Sequence, residues 1–286
     1  MLSGLPGVGE DAQPCTAPLK TADPMKRYFL FFSYDGTAYH GWQVQPNAVS
    51  VQQRLNEALA TLLRHPVDTV GAGRTDTGVH ARMMAAHFDA DALDVAWLAD
   101  RLNRILPPDI AVHAVREMHD GAHARFGAVA RTYHYYVYTG KSPFLRHYAA
   151  RLFFRPDYEL MNRAAQELLA ASDFTSFSKL HTDARTNICR LSRAEWVPVA
   201  PDYWRFEITA DRFLRNMVRA VVGTLLDVGR GRLTLDGFRR VVESRDRCAA
   251  GDSVPANALF LVDVRYPDAL FADGPAPYPE DFCPMV

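Results

Sequence analysis

Residues 71–81, Gly71-Ala72-Gly73-Arg74-Thr75-Asp76-Thr77-Gly78-Val79-His80-Ala81, place three glycines around a short polar core. Glycine accepts backbone angles that other residues avoid, so this composition implies a tight, specialised loop after a strand. Such a loop can hold the Asp76 carboxylate fixed and exposed. Arg74, two residues away, can bind a phosphate or steady the loop. The same residues also suit an ordinary glycine-rich turn in which Asp76 caps a helix or closes an Asx turn. His80 is open in the same way, since a lone histidine is packed and hydrogen-bonded more often than it is catalytic.

Working outward, both halves of the chain alternate strand and helix patterns. Tyr28–Tyr34 is a short aromatic and apolar run ended by Asp35-Gly36, a turn signal. Ser50-Val51-Gln52-Gln53 fits a capping box, and Val51, Leu55, Leu59, Leu62 and Leu63 follow at helical spacing. Strands are expected at 67–72, 87–90, 110–116, 128–138, 191–197, 203–210 and 259–264. Helices are expected near 95–105, 158–170 and 236–244. Phe213, Leu214, Met217, Val218, Val221, Val222, Leu225 and Leu226 mark a further helix with one broad apolar face. The expected architecture is α+β: two related subdomains sharing one extended antiparallel sheet, helices packed on one side, and a catalytic cleft between them. The expected boundaries are a floppy extension over 1–25, subdomains over 26–127 and 128–266, and an acidic, proline-rich tail over 267–286. The text after residue 24 reads as a natural start at Met25.

The chain has 286 residues, 48% of them hydrophobic and 23% charged, a mix that can bury a sizeable core and excludes a disordered or fibrous chain. No run approaches the roughly 18 apolar residues of a membrane span. With 32 Lys+Arg against 33 Asp+Glu the net charge is −1, which taken whole argues against a nucleic-acid partner. The distribution reverses that argument. Residues 1–25 carry −2 and residues 252–286 carry −5, leaving +6 on 26–251. Only Lys20, Lys26, Lys141 and Lys179 are lysines, so arginine supplies nearly all the positive charge. Guanidinium forks suit phosphates and base edges, though a codon bias toward arginine gives the same composition. Cys15, Cys189, Cys248 and Cys283 have neither metal-ligand nor redox spacing. A reducing cytoplasm is the simplest setting for them.

Gly73-Arg74-Thr75-Asp76-x-Gly78-Val79-His80-Ala81 resembles the signature of the tRNA pseudouridine synthase A family. The resemblance runs from about residue 28 to 266. It takes in Tyr34-Asp35-Gly36-Thr37-x-Tyr39-x-Gly41-Trp42-Gln43-x-Gln45-Pro46, then Ser50-Val51-Gln52 and Asn103-x-x-Leu106-Pro107-x-Asp109-Ile110. Phe126, Arg131-x-Tyr133 and Asp173-Phe174-x-Ser176-Phe177 continue it. Phe213-Leu214-x-x-Met217-Val218-Arg219 and Gly223-Thr224-Leu225-Leu226-x-Val228-Gly229-x-Gly231 complete it. One such motif would be weak; this many in order are specific. The chain departs from the family pattern at Met83-Met84 and over Val254–Phe260, which bears on the substrate loop and the rim of the site.

The resemblance implies isomerisation of uridine to pseudouridine in the anticodon arm of tRNA, at positions 38, 39 and 40 in the family. It implies no cofactor, no metal and a homodimer that binds one tRNA across both subunits. Asp76 is then the nucleophile and Arg219 its ion-pair partner. The tyrosine matching Tyr133 stacks on the flipped uracil and assists proton transfer at C5. Without the resemblance, Arg219 is an arginine on the wet face of an apolar helix, and Tyr133 an aromatic residue favoured by a strand. Arg74, Arg212 and Arg215 are the candidate tRNA contacts, with Arg230 and Arg232 grouped around the same helix, and 178–190 a candidate substrate-facing loop. A chain trimmed to 25–266 is expected to bind tRNA at least as well as the whole.

Two other readings compete. Phe29–Thr37 resembles the strand that opens a haloacid dehalogenase-type phosphatase, but Ser33 stands where that chemistry needs its nucleophilic aspartate. The alternative from a different class is a non-catalytic RNA-binding module that keeps the architecture without the reaction.

Overall fold

The computed structural model describes residues 25–179 and 186–277. The expected N-terminal extension, the centre of the candidate loop at 178–190 and the end of the tail lie outside these residues. The strands are β1 (Lys26–Tyr34), β2 (Val70–Gly71), β3 (His80–Ala90), β4 (Ile110–Glu117), β5 (Ala130–Tyr138), β6 (Ala150–Arg151), β7 (Leu191–Ala200), β8 (Tyr203–Ala210) and β9 (Leu259–Arg265). The helices are α1 (Val51–Leu63), α2 (Val95–Ile105), α3 (Tyr158–Ala170), α4 (Met217–Gly229) and α5 (Leu235–Ser244). The class is α+β, as expected.

One sheet runs in the order β4-β1-β3-β9-β5-β8-β7, with β2 pairing β3 and β6 pairing β5. β9, the last strand among the described residues, is therefore inserted at the sheet's centre. Most pairs are antiparallel, but the expectation of an antiparallel sheet needs correcting at the seam. There β3 meets β9 in parallel over only His80↔Phe260 and Ala81↔Leu261. Strand direction at this seam is fixed by pairing across most of the chain, which no local pattern encodes.

The register carries Phe32, Ala81, Leu261, Tyr133 and Ile208 onto one face. Both sets of helices cover that face. Leu55, Leu59, Leu98 and Leu102 of α1 and α2 pack in one cluster with Tyr28, Leu30 and Phe32. α3, α4 and α5 pack in a second cluster with Tyr135, Val137, Phe206 and Ile208. On the other face Phe29 and Phe31 lie against Tyr266, and Phe31 stacks on Phe271. Residues 267–277, read as tail from the sequence, thus reach back onto the sheet, where Arg116 also pairs with Asp273 at 2.6 Å.

Three expected elements differ most in extent. β3 starts at His80 rather than 87, because Ala81, Met83, Met84, Ala85 and Ala86 are buried and show no polar alternation. Met83 and Met84, where the chain departs from the family pattern, are core residues of this strand. β2 shrinks to two residues. α4 starts at Met217 because Asn216 takes left-handed angles (φ 67°), which asparagine tolerates. Of the capping box, Ser50 accepts from the Gln53 N–H, while the Gln53 side chain turns to Glu57 instead of reaching back.

Candidate active site

Residues 73–79 leave the sheet after β2 and return as β3, and a neighbouring segment grips this loop from the side. The Trp42 N–H donates to the Thr75 carbonyl at 3.3 Å, and the Gly78 N–H to the Tyr39 carbonyl at 3.3 Å. The Tyr34 hydroxyl lies 2.8 Å from Thr75 Oγ1. Gly41 adopts φ +85°, and a Cβ there would collide with the Thr75 carbonyl, so only glycine allows the two segments to approach. Within the loop the Val79 N–H donates to the Asp76 carbonyl at 3.1 Å.

The Asp76 carboxylate does not cap this turn. It meets Arg219 Nη1 at 3.3 Å through Oδ2, and Arg215 Nε lies 3.8 Å from Oδ1. Arg219 stands in the first turn of α4, whose aligned peptide dipoles add partial positive charge at that end. Its guanidinium is aimed from behind, since Nε donates to the Val254 carbonyl at 2.7 Å while the Val254 N–H donates to the Arg219 carbonyl at 3.2 Å. The structure therefore brings Asp76 and Arg219 together across 143 positions of sequence. It adds Arg215, expected only as an RNA contact, to the same carboxylate. No local pattern signalled this, because Arg215 lies before α4, beyond the left-handed Asn216.

Tyr133 sits on β5 beside the seam, on the helix-covered face, half-buried. Burial pushes its phenol up to about 12; Arg131 opposes this and the nearby Asp76 charge reinforces it. Phe213 meets its ring edge-on at 5.0 Å between centroids. Arg131, on the same strand face, is a backbone clamp: it donates to the carbonyls of Ala72, Arg125, Ala128 and Asp211 at 2.6–3.0 Å. One of these carbonyls opens the Asp76 loop. Tyr135 and Tyr136 are buried on opposite faces, as strand aromatics.

His80 is buried, with its ring stacked on Phe260 at 4.5 Å. Nδ1 accepts the Gly36 N–H at 3.0 Å and lies 3.0 Å from Asp35 Oδ1, while Nε2 faces the Asn257 carbonyl at 3.1 Å. Burial holds its pKa below the usual value; Asp35 and Asn257 pull the other way. Val254–Phe260, the second departure from the family pattern, thus supplies contacts to both Arg219 and His80.

Arg74 projects into solvent, and among the described residues no carboxylate holds it. Arg212 is half-buried near Cys189, whose thiol its charge lowers against the effect of burial. Arg230 and Arg232 do not join the site. Arg230 follows α4 at its far end, about 16 Å along the axis from Arg219. It lies over the Phe154 ring at 4.4 Å.

A cavity of about 580 Å³ lies between α1 and the start of β4, on the other side of Tyr39. Asp76 is not on its wall, and its one cation, Arg54, is paired with Glu57 at 2.9 Å. Among the described residues no group of three or more His, Cys, Asp or Glu is arranged to hold a metal, and no helix is long and apolar enough to cross a membrane. Asp35, the carboxylate a phosphatase reading would use, is engaged by Thr37, Tyr148 and His80.

A family model described as tRNA pseudouridine synthase matches residues 30–127 and 164–267. The chain is 60% identical over 252 residues to tRNA pseudouridine synthase A of Bacteroides thetaiotaomicron, covering 87% of this chain and 94% of that protein. It is 56% identical over 249 residues to the protein of the same name from Bacteroides fragilis, covering 86% and 99%. The Bacillus subtilis protein of that name is 41% identical over 239 residues, covering 82% and 96%.

Proposed function

The chain belongs to the tRNA pseudouridine synthase family, a family of isomerases, and from that premise we propose that it converts uridines of the tRNA anticodon arm to pseudouridine with Asp76 as nucleophile. The observation that carries the reading is the Asp76–Arg219 pair, a carboxylate on a rigid loop with a guanidinium brought to it from the other half of the sheet.

In the reaction the C1′–N1 glycosidic bond breaks, the uracil turns, a C1′–C5 bond forms, the C5 proton leaves and N1 gains one. The carboxylate must be ionised to attack, and Arg219 stands 3.3 Å from it as its ion-pair partner. The same placement serves attack on uracil C6 or on ribose C1′, because the base must be flipped out beside Asp76 in either case. Tyr133 offers its ring as the stacking surface for that base, and such contact is worth about 1–3 kcal/mol per base. With its pKa near 12 the phenol stays protonated at neutral pH, so it enters as a hydrogen-bond donor. In this reading Arg215, 3.8 Å from the carboxylate, Arg74 of the same loop as Asp76, and Arg212 meet phosphates next to the flipped nucleotide. A homodimer sharing one tRNA belongs to the same reading.

The test uses unmodified tRNA transcripts tritiated at uridine C5. The wild type should release tritium, and Asp76→Asn should release none while still binding tRNA. Activity in that variant would overturn the nucleophile. Release from a transcript whose anticodon-arm uridines are replaced by cytidine would overturn the target.

A further inference from the structure

Residues 141–155, Lys141-Ser142-Pro143-Phe144-Leu145-Arg146-His147-Tyr148-Ala149-Ala150-Arg151-Leu152-Phe153-Phe154-Arg155, contain four bases and no acid. All four bases are exposed, and among the described residues no carboxylate pairs with any of them. Elsewhere many arginines are neutralised in place: Arg27 by Asp89, Arg104 by Asp100, Arg193 by Glu195 and Glu207, and Arg239 by Glu167. Phe144 and Phe153 are 86% and 85% exposed, more than any other large apolar side chain among the described residues. Arg151 lies over the Phe153 ring at 4.9 Å.

The segment is built, not loose. Ala149 and Leu152 are buried, and β6 pairs with Val137 and Tyr138 at the end of β5. Its backbone is tied to the active-site rim: Tyr148 donates to Asp35 Oδ2 at 2.7 Å, and Asn257 Nδ2 donates to the Arg146 carbonyl at 3.2 Å. Asp35 and Asn257 both flank His80, four residues from Asp76. The Arg146–Tyr148 part of the segment is thus held at the rim of the catalytic loop, while Arg151 and Phe153 extend away from it toward Phe154, which lies under Arg230 at the far end of α4.

We propose that residues 141–155 form an RNA-docking platform that runs outward from the rim of the catalytic cleft, where Phe144 and Phe153 stack on unpaired bases of the tRNA and Arg146 and Arg151 meet its phosphates. This rests on the reading that the chain acts on tRNA. Exposed rings offer sequence-tolerant stacking, cations supply the phosphate contacts, and single-stranded RNA is the partner that satisfies both. A second copy of this chain fits less well. A two-fold contact through this patch would set four uncompensated cations against the same four.

The experiment measures binding of an unmodified tRNA transcript over a salt series, together with sedimentation velocity and thermal melting of the free protein. Phe144→Ala/Phe153→Ala should weaken binding roughly ten- to hundred-fold, and Phe144→Trp/Phe153→Trp should restore it. Arg146→Ala and Arg151→Ala should each lower the slope of log affinity against log salt by about 1. Melting and sedimentation should match the wild type. Unchanged affinity and slope would overturn the platform, as would a shift to a smaller species, which would make the patch a self-association face. Absence of pseudouridine formation by the wild type would overturn the tRNA reading itself. An active wild type whose phenylalanine variants bind normally would overturn the platform alone.

Discussion

His80 Nε2 lies 3.1 Å from the carbonyl oxygen of Asn257, 177 positions away, and this contact crosses the two-residue parallel seam between the halves of the sheet. The neutral Nε2–H tautomer and the imidazolium both donate to that carbonyl, so the tie holds in either protonation state. Asn257 follows Val254, whose carbonyl aims Arg219, so His80 fixes the Asp76 loop relative to the cation that serves it. His80→Phe keeps a ring on Phe260 and loses the tie. Turnover should fall about tenfold or more with little change in the KM for tRNA. In an Arg219→Lys background the same substitution should cost much less. Equal factors in both backgrounds, read by single-turnover kinetics, would reduce His80 to a packing residue.

Arg215 and Arg219 should separate kinetically. Arg219 is anchored by Val254 and touches Asp76, so Arg219→Ala should lower kcat about a hundredfold or more. Arg215 is 58% exposed in its side chain and stands 3.8 Å off, so Arg215→Ala should act chiefly on the KM for tRNA. Steady-state rates over a tRNA titration distinguish the two.

Arg131→Ala should unfold at markedly lower urea concentration. The guanidinium satisfies four backbone carbonyls, and hydrogen bonds to a charged donor contribute about 1.5–3 kcal/mol each without adding fully. A loss of about 3 kcal/mol is expected. A loss under about 1 kcal/mol would mean that water replaces the clamp.

Stability should fall as the medium is acidified from neutrality. Burial pushes His87 down to about 4 and His134 down to about 3, from an ordinary value of 6.5. His87 Nδ1 accepts the Ala124 N–H at 3.1 Å, which needs the neutral ring. The unfolded chain therefore binds protons that the native state refuses. The contribution is complete above about pH 6.5 and is lost as pH drops from there toward 4, by at most about 1.4 kcal/mol per unit per histidine. Urea midpoints at about pH 7 and pH 5 should differ accordingly, and His87→Gln should flatten the difference.

Truncation after residue 266 should destabilise the N-terminal half, because it removes Phe271 from its stack on Phe31 and Asp273 from Arg116. Phe271→Ala alone should cost about 3 kcal/mol by urea titration. A cost near zero would return 267–277 to the status of a tail. The trimmed chain expected from composition alone to bind tRNA unimpaired is thus better ended after 277.

The sequence by itself determined the helices, most strands, the α+β class and the candidate residues Asp76, Arg219 and Tyr133. The elements follow from local period and turn chemistry within a short window, whereas the roles of Asp76, Arg219 and Tyr133 rest on the resemblance of motifs in order along most of the chain. It did not determine that β3 begins at His80, because a strand buried on both faces shows no polar alternation. Nor did it determine that α4 begins after Asn216, since an apolar period runs through a turn as readily as through a helix. The tertiary structure alone decided the parallel seam, the insertion of β9 at the centre and the sorting of the arginines. Arg215 and Arg219 reach Asp76, Arg131 clamps carbonyls, and Arg230 stands at the far end of its helix. The Arg131–Ala72 and Arg219–Asp76 contacts join residues 59 and 143 positions apart, and register over such distances is set by the packing of whole elements. The loop at 71–81 offered a carboxylate and the resemblance named Arg219 as its partner; the fold brings the two to 3.3 Å.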